Sequence, residues 1–275
     1  MLFSHLPVLL RGGGDLATGV AYRLHQAGFP VIVLELAQPL VVRRRVALAT
    51  AVLEKEMKVE NMTGRLVATY AEARTLAQSG VIPVLVSPQL PAVNGREAVR
   101  PAVVVDARMA KRNIDTTKDQ ASLVVALGPG FWAGVDCHAV VETMRGHRLG
   151  RVIWQGSALP NTGTPGVVAG KGGERVLRAP AEGVVHWLVY IGDVVTEGDV
   201  LGEVNGQIVT APFDGILRGL IASGTAVPKG LKIGDLDARA EVSACFTISD
   251  KALAIGGGVL EAVLSWMNQS EEDRD

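Results

Sequence analysis

Short apolar runs separated by helical patterns recur along the first part of the chain. Val8, Leu9 and Leu10 form a run that suits a buried strand. Val20, Leu24 and Ala27 then recur at helical spacing, and Gly28 fits a helix stop. Val31 to Leu34 is a second buried run, closed by Glu35. Further strand-like runs occupy 81–86, 103–106, 121–127 and 151–155. Pro83 removes one ladder donor from the first of these. An Ala-rich stretch to about Lys55, the span Tyr70 to Ser79 and the span Val135 to Arg145 read as helices. Strand and crossover alternating in this way predict a mostly parallel sheet with helices on both faces.

The pattern changes after Asn161. Residues 161–173 (NTGTPGVVAGKGG) read as a loop or linker. Beyond it the chain repeats itself. Ala179-Pro180-Ala181-Glu182-Gly183-Val184 matches Ala211-Pro212-Phe213-Asp214-Gly215-Ile216. At the same offset Gly192 matches Gly224, Gly198 matches Gly230, and Gly202-Glu203 matches Gly234-Asp235. Each copy has short β-prone runs broken by glycine turns, so the two halves are expected to close one small β-sandwich. They resemble the barrel-sandwich hybrid of lipoyl and biotinyl carriers, which bear a modified lysine at the hairpin tip. Here the tip is Asn205-Gly206, a type I′ turn pair, and Lys229 and Lys232 fall elsewhere. A docking or capping module is therefore expected in place of a swinging arm. Ser249 or Asp250 caps a last helix that Gly256, Gly257 and Gly258 interrupt, which points to close packing or to a break.

The expected fold class is thus α/β. A Rossmann-like, mostly parallel sheet (1–160) is followed by a linker (161–174). A small all-β barrel-sandwich hybrid domain (175–240), a C-terminal helical segment (241–268) and a disordered tail (269–275) complete the chain.

Composition narrows the function. The 275 residues carry a net charge of −1, which leaves no basic excess to neutralise a nucleic acid. No apolar run has the length of a membrane span, and the start lacks the cationic lead of a signal peptide. Cys137 and Cys245 are the only cysteines, so no disulfide framework is implied and a cytoplasmic location is the default.

Candidate chemistry gathers where strands end. The spacing Gly12-x-Gly14-x-x-Ala17 between a strand and a helix is a dinucleotide-binding fingerprint. The Gly12-Gly13-Gly14 turn lets backbone approach a ligand, and free amides at the helix start attract phosphate. Asp15 or Thr18 could join that hydrogen bonding, although the Asp15 charge opposes a pyrophosphate. Glu35 stands where a ribose-binding acid belongs. Ligands of open α/β sheets lie beyond the C-terminal strand ends, which here are Arg11 to Thr18, Glu35, Asp106 to Arg108, Gly128 to Gly134 and Gln155 to Ser157. Gly128-Pro129-Gly130 can aim amides at an anion or be a plain turn. Arg43, in an Arg43-Arg44-Arg45 run, could grip a phosphate on a ribose or a pterin, or be a solvated helix start. Asp106 and Arg108 form either an ion pair or a polar clamp on a ligand. His138 and Glu142 share a face of the expected helix, but such a pair falls short of a zinc site, and no metal is expected.

Several motifs together resemble one family. They are RGGGDLATGVAYRLHQAGFPVIVLE, VVVDARMAKRNIDT, LGPGFWAGVDCHAVVETMRGH, LGRVIWQGSALPNTGTPG, APFDGILRGLI and KIGDLDAR. The chain is similar across nearly its whole length to the YqeB family, accessory proteins of selenium-dependent molybdenum hydroxylases. The first domain of that family is similar to the nucleotide-binding part of XdhC-type proteins. The resemblance implies a role in maturation, by processing or inserting molybdenum cofactor, with a hydroxylase as client. It brings no catalytic residue with it. The ligand expected is a molybdopterin-type cofactor or an NAD(P)-like nucleotide, in either case bearing phosphate. The alternatives are an NAD(P)-dependent oxidoreductase and a non-catalytic scaffold, and a homo-oligomer is left open.

Overall fold

The computed structural model describes residues 1–91, 101–163, 166, 170–239 and 241–272. The chain divides into two compact units. One comprises Met1–Ala37, Leu48–Asn161 and Ile248–Asp275, and the other comprises Gln38–Ala47 and Thr162–Thr247.

The first unit is α/β. Its strands are β1 (Val8–Arg11), β2 (Val31–Glu35), β3 (Glu56–Val59), β4 (Met62–Val67), β5 (Ile82–Val86), β6 (Val103–Asp106), β7 (Leu123–Leu127), β8 (Ala139–Val141) and β9 (Val152–Ile153). Its helices are α1 (Asp15–Gln26), α2 (Ala51–Glu54), α3 (Tyr70–Ala77) and α4 (Asp250–Glu272). The nine strands form one sheet in the order β3-β4-β5-β2-β1-β6-β7-β8-β9. Every residue of β1, β2, β6 and β7 is buried, which is why these strands read as unbroken apolar runs. Alternate positions such as Leu9, Ile32, Val104 and Val124 share one core cluster with Ala73 and Ala77 of α3.

Helix α4 packs along α1, and glycines make the approach possible. A Cβ on Gly19 would collide with the Ala252 backbone, one on Gly256 with the Gly19 carbonyl, and one on Gly258 with the Gly150 carbonyl. Gly257 has nothing within 4 Å.

The chain leaves β1 toward β2 on one side and re-enters at β6 on the other. The winding of the sheet therefore reverses between β1 and β6, which pair in parallel with Arg11 opposite Asp106.

The second unit is all β. Its strands are β10 (Val176–Arg178), β11 (Gly183–Trp187), β12 (Val194–Val195), β13 (Val200–Val204), β14 (Gln207–Thr210), β15 (Gly215–Leu220), β16 (Ala226–Val227) and β17 (Lys232–Asp237). They form two four-stranded antiparallel sheets, β10-β17-β15-β12 and β14-β13-β11-β16. The offset that carries Ala179 onto Ala211 also carries β11 onto β15, β12 onto β16 and β13 onto β17. Each sheet takes strands from both copies of the repeat. Val185, Leu201 and Val204 meet Leu217, Ile233 and Leu236 in one core. Asn205 and Gly206 turn between β13 and β14 with φ of 51° and 74°, the left-handed pair of a type I′ turn.

These observations correct the expected fold class. The large sheet is mixed and not a Rossmann-like winding: β3 pairs antiparallel with β4, and β8 with β9. Two four-stranded antiparallel sheets stand where a barrel-sandwich hybrid was expected. The last helix belongs to the α/β unit. Local expectations change as well. The helix expected at 135–145 is replaced by β8, because Ala139 to Val141 pair in parallel with β7. The Ala-rich stretch forms two 3-10 turns and the four-residue α2, with the Ala49 amide bonded to the Gly13 carbonyl. Helix α4 runs unbroken through its three glycines to Glu272, past the point where the tail was expected to begin. Among the described residues, no helix is long and apolar enough to cross a membrane.

Candidate functional site

Arg11 and Asp106 end the two central strands and are 2% and 1% exposed. Buried charges need partners, and a folded-back loop supplies them. Arg11 donates from Nη2 to Asp115 Oδ2 at 2.9 Å and from Nη1 to Thr116 Oγ1 at 3.3 Å. Arg108 chelates Asp106, with Nε at 3.1 Å from Oδ1 and Nη2 at 2.6 Å from Oδ2. The same Nη2 reaches Asp115 Oδ1 at 2.7 Å. Thr116 donates its hydroxyl to Asp106 Oδ2 at 2.6 Å. Asn113 holds the Thr116 backbone through two bonds of 2.8 Å. Within this loop Met109 and Lys111 adopt left-handed φ of 56° and 60°, values that side chains other than glycine adopt at a cost.

The charges in this network hold one another. Hydrogen bonding from Arg11, aided by Arg108, pulls the Asp115 carboxyl below its ordinary range against a smaller effect of burial. Burial disfavours the Arg108 cation, but Asp106 and Asp115 together outweigh it and raise its pKa.

The glycine turn lies beside this network and is largely filled by the protein itself. Gly12 has φ of 92°, and a Cβ there would come within 3.2 Å of the Ala107 and Arg108 backbone. A Cβ on Gly13 would come within 2.8 Å of the Ala49 amide nitrogen and 2.9 Å of Val33. The Gly12 amide donates to the Leu34 carbonyl. The Gly13 amide donates to Glu35 Oε2 at 2.7 Å, and Glu35 Oε1 accepts the Leu36 amide at 2.7 Å. Both oxygens of the expected ribose acid are thus engaged within the chain. Helix α1 opens at Gly14 with no side-chain cap bond, and Asp15 places an acid in its first turn. Thr18 is fully buried; it donates to the Gly14 carbonyl at 2.9 Å and accepts the Leu48 amide at 3.0 Å. Asp15 has a counter-charge in Lys251 of α4. Burial first, then Arg145, lowers the Lys251 pKa, while Asp15, Glu142 and Asp250 oppose that shift.

The α/β unit therefore brings together Gly12, Gly13, Gly14, Asp15, Glu35, Asp106 and Arg108. Gly128 and Gly130, with φ of 74° and 106°, pack tightly: Gly128 lies against Thr143, and Gly130 against the backbone of Arg112 in the folded-back loop. The Gly128 amide is taken by the Val141 carbonyl. Arg43 belongs to the other unit, where it donates to the carbonyls of Ala244 and Thr247. Asp115, Thr116 and Lys251 were not singled out from the sequence. His138 accepts the Val124 amide at Nδ1, and Glu142 accepts the amides of Met144 and Leu159. Among the described residues, no group of three or more His, Cys, Asp or Glu could hold a metal ion. Cys137 is fully buried, and burial, with Asp136 and Asp106, pushes its thiol up to about 12.

No protein-family model matches the chain. Among solved structures, it resembles an aspartoacylase family protein from Mesorhizobium loti at 20% identity, over 23% of this chain and 22% of that one, with a TM-score of 0.21. It also resembles a succinylglutamate desuccinylase from Silicibacter sp. TM1040 at 14% identity, over 84% of each chain, with a TM-score of 0.26. Neither bears on function. Similarity in sequence is stronger. The chain is 50% identical over 266 residues to the uncharacterized protein YqeB of Escherichia coli K12, an alignment spanning 97% of this chain and 49% of that protein. The chain spans about half the length of this relative, and over that half it is a homologue of YqeB.

Proposed function

We propose that the chain is an accessory protein in the maturation of a selenium-dependent molybdenum hydroxylase, holding a nucleotide or other phosphate-bearing ligand beyond the ends of β1 and β6. The pathway rests on the motif resemblance and on kinship with YqeB. One structural observation carries the binding reading. The sheet reverses its winding between β1 and β6, where open α/β sheets leave a crevice for ligands. There the uncapped start of α1 adjoins the Arg11–Arg108 network.

In this reading the ligand's phosphate lies at the first turn of α1, whose dipole favours an anion. The Gly13 amide is left to Glu35. Arg108 exchanges part of its pairing with Asp106 and Asp115 for the ligand, and Lys251 answers the Asp15 charge. A molybdopterin-type cofactor and an NAD(P)-like nucleotide both meet this description. The client enzyme takes the ligand or is completed by it, in the cytoplasm.

A second reading, a non-catalytic scaffold, draws support from the Glu35–Gly13 bond and from the backbone packed against Gly12 and Gly13. Removal of the protein from its host separates the maturation role from an unrelated one. The hydroxylase is then expected to accumulate as polypeptide short of molybdenum, measured by metal analysis of the purified enzyme. A full molybdenum complement and normal activity would sink the proposal. Mass spectrometry of small molecules that co-purify with the chain separates the ligand-holding reading from the scaffold.

A further inference from the structure

Arg218 lies within β15 of the all-β unit, with only 10% of its side chain exposed. Its Nε has no hydrogen-bond partner among the described residues. Its Nη1 stands 3.7 Å from Asp237 Oδ2, beyond hydrogen-bond reach. That carboxylate is already occupied: Arg239 donates to it from Nη2 at 2.6 Å, from Nε at 3.0 Å and from its backbone amide at 3.0 Å. The neighbouring Asp235 is held by Arg175 at 3.2 Å and by Lys232 at 3.3 Å.

The backbone is adapted to this residue. Leu217 pairs with Leu236 and Gly219 with Asp235, so the register of β15 against β17 shifts across Arg218. Such bulges re-aim side chains and recur beside functional sites. The internal repeat supplies a control. His186 occupies the equivalent place in β11, where Val185, His186 and Trp187 pair regularly with β13 and the histidine is exposed. Neither the bulge nor the buried cation is demanded by the repeated architecture.

A second cation approaches Arg218. The segment around Val42 runs against β15: a Cβ on Gly219 would come within 2.9 Å of the Val42 side chain. Arg44 pins that segment by donating from Nε to the Leu220 carbonyl at 2.8 Å. Arg43, between them in sequence, is 8% exposed. Burial first, and then the Arg43 charge, lower the Arg218 pKa. Arg43, Arg175, Lys232 and Arg239 all donate hydrogen bonds, whereas the Arg218 Nε donates none and its nearest carboxylate lies 3.7 Å away. A buried cation without a full partner is costly, and an anion would relieve it.

We propose that Arg218, with Arg43 and Arg239, forms a binding site for an oxyanion of the phosphate class, either free phosphate or the phosphoryl group of a larger molecule. Guanidinium groups match the geometry of such oxyanions through paired donors. This site is separate from the one beyond β1 and β6 and does not depend on it.

The test is titration of the whole protein at low ionic strength with inorganic phosphate and with a nucleoside monophosphate, followed by calorimetry and phosphorus NMR. The wild type is expected to bind saturably. Arg218→Met should weaken binding at least about tenfold, equivalent to about 1.4 kcal/mol. Arg108→Gln, in the other unit, should remove only binding at the site beyond β1 and β6 and leave the Arg218-dependent binding in place, which separates the two. Equal affinity for the two probes identifies the free ion, and tighter binding of the monophosphate identifies a phosphoryl group. No saturable binding by the wild type, or wild-type affinity in Arg218→Met, overturns the proposal. Should Arg218→Met fail to fold, hydrogen exchange of the wild type decides. Phosphate is expected to slow exchange of β15 and β17 amides, and unaltered exchange rejects the site.

Discussion

The backbone amide of Gly13 donates to the carboxylate of Glu35 at 2.7 Å, tying the turn after β1 to the end of β2. The other carboxylate oxygen takes the Leu36 amide at the same distance. Glu35 is therefore a strut within the sheet end. Replacing it with alanine strips two amides of a charged acceptor, and is expected to lower the unfolding free energy by about 3 kcal/mol. Urea denaturation measures this. A loss under about 0.5 kcal/mol would contradict the strut, since hydrogen bonds to charged groups are ordinarily worth more.

The three consecutive glycines of α4 should behave differently from one another. Gly256 and Gly258 face backbone, so alanine at either should cost about 1–3 kcal/mol through overpacking. Gly257 faces open space, and alanine there should stabilise by up to about 1 kcal/mol through helix propensity. Thermal unfolding of the three single variants checks the order. Equal effects at all three positions would refute the close packing of α4 on Gly19 and Gly150.

The cysteines should be silent in the native protein. Both are buried, and the Cys137 thiol is pushed up to about 12, first by burial and then by Asp136 and Asp106. At pH 8 almost none of it is thiolate, the reactive form. A chromogenic disulfide reagent should therefore label Cys137 only as fast as the chain opens. Rapid stoichiometric labelling of native protein would place Cys137 elsewhere.

Acid should weaken the all-β unit through Asp237. Burial tends to raise this carboxyl, but the hydrogen bonds and charge of Arg239, with Arg218 behind, hold it at about 2. Its folded pKa lies below the ordinary 3.8, so its stabilising effect is full above about pH 4 and is lost as pH falls toward 2. Asp237→Asn should flatten the stability–pH profile in that window, measured by denaturant melts from pH 5 down to about pH 2. An unchanged slope would contradict the coupling.

The sequence made the centre of the sheet legible and its edges obscure. Strands β1, β2, β6 and β7 are buried on both faces, so their apolar runs are continuous. The β3–β4 hairpin alternates buried and open positions around Lys58 and Arg65 and contains Gly64, so its pattern is weak. Residues 139–141 fit helix or strand locally, and pairing with β7 decides between them. At the candidate site, Asp106 and Arg108 were visible because they close an apolar run. Asp115 and Thr116 lie in a polar loop without period, and their role arises only when that loop folds back. Lys251, whose cation the Asp15 charge favours, comes from the far end of the chain. Glu35 was read as a ribose acid because its position after β2 does not reveal that its partner is the Gly13 amide. Arg43 follows β2 in sequence but folds with the other unit.

Ligand capture beyond β1 and β6 is tested most directly by amide NMR of the isotope-labelled protein. The titrants are a molybdopterin species and, separately, a nucleoside diphosphate. The account predicts that the amides of Asp15, Leu16 and Arg108 shift saturably with at least one of them, while Gly13, held by Glu35, moves little. Unchanged amides at all of these positions with both ligands would contradict it.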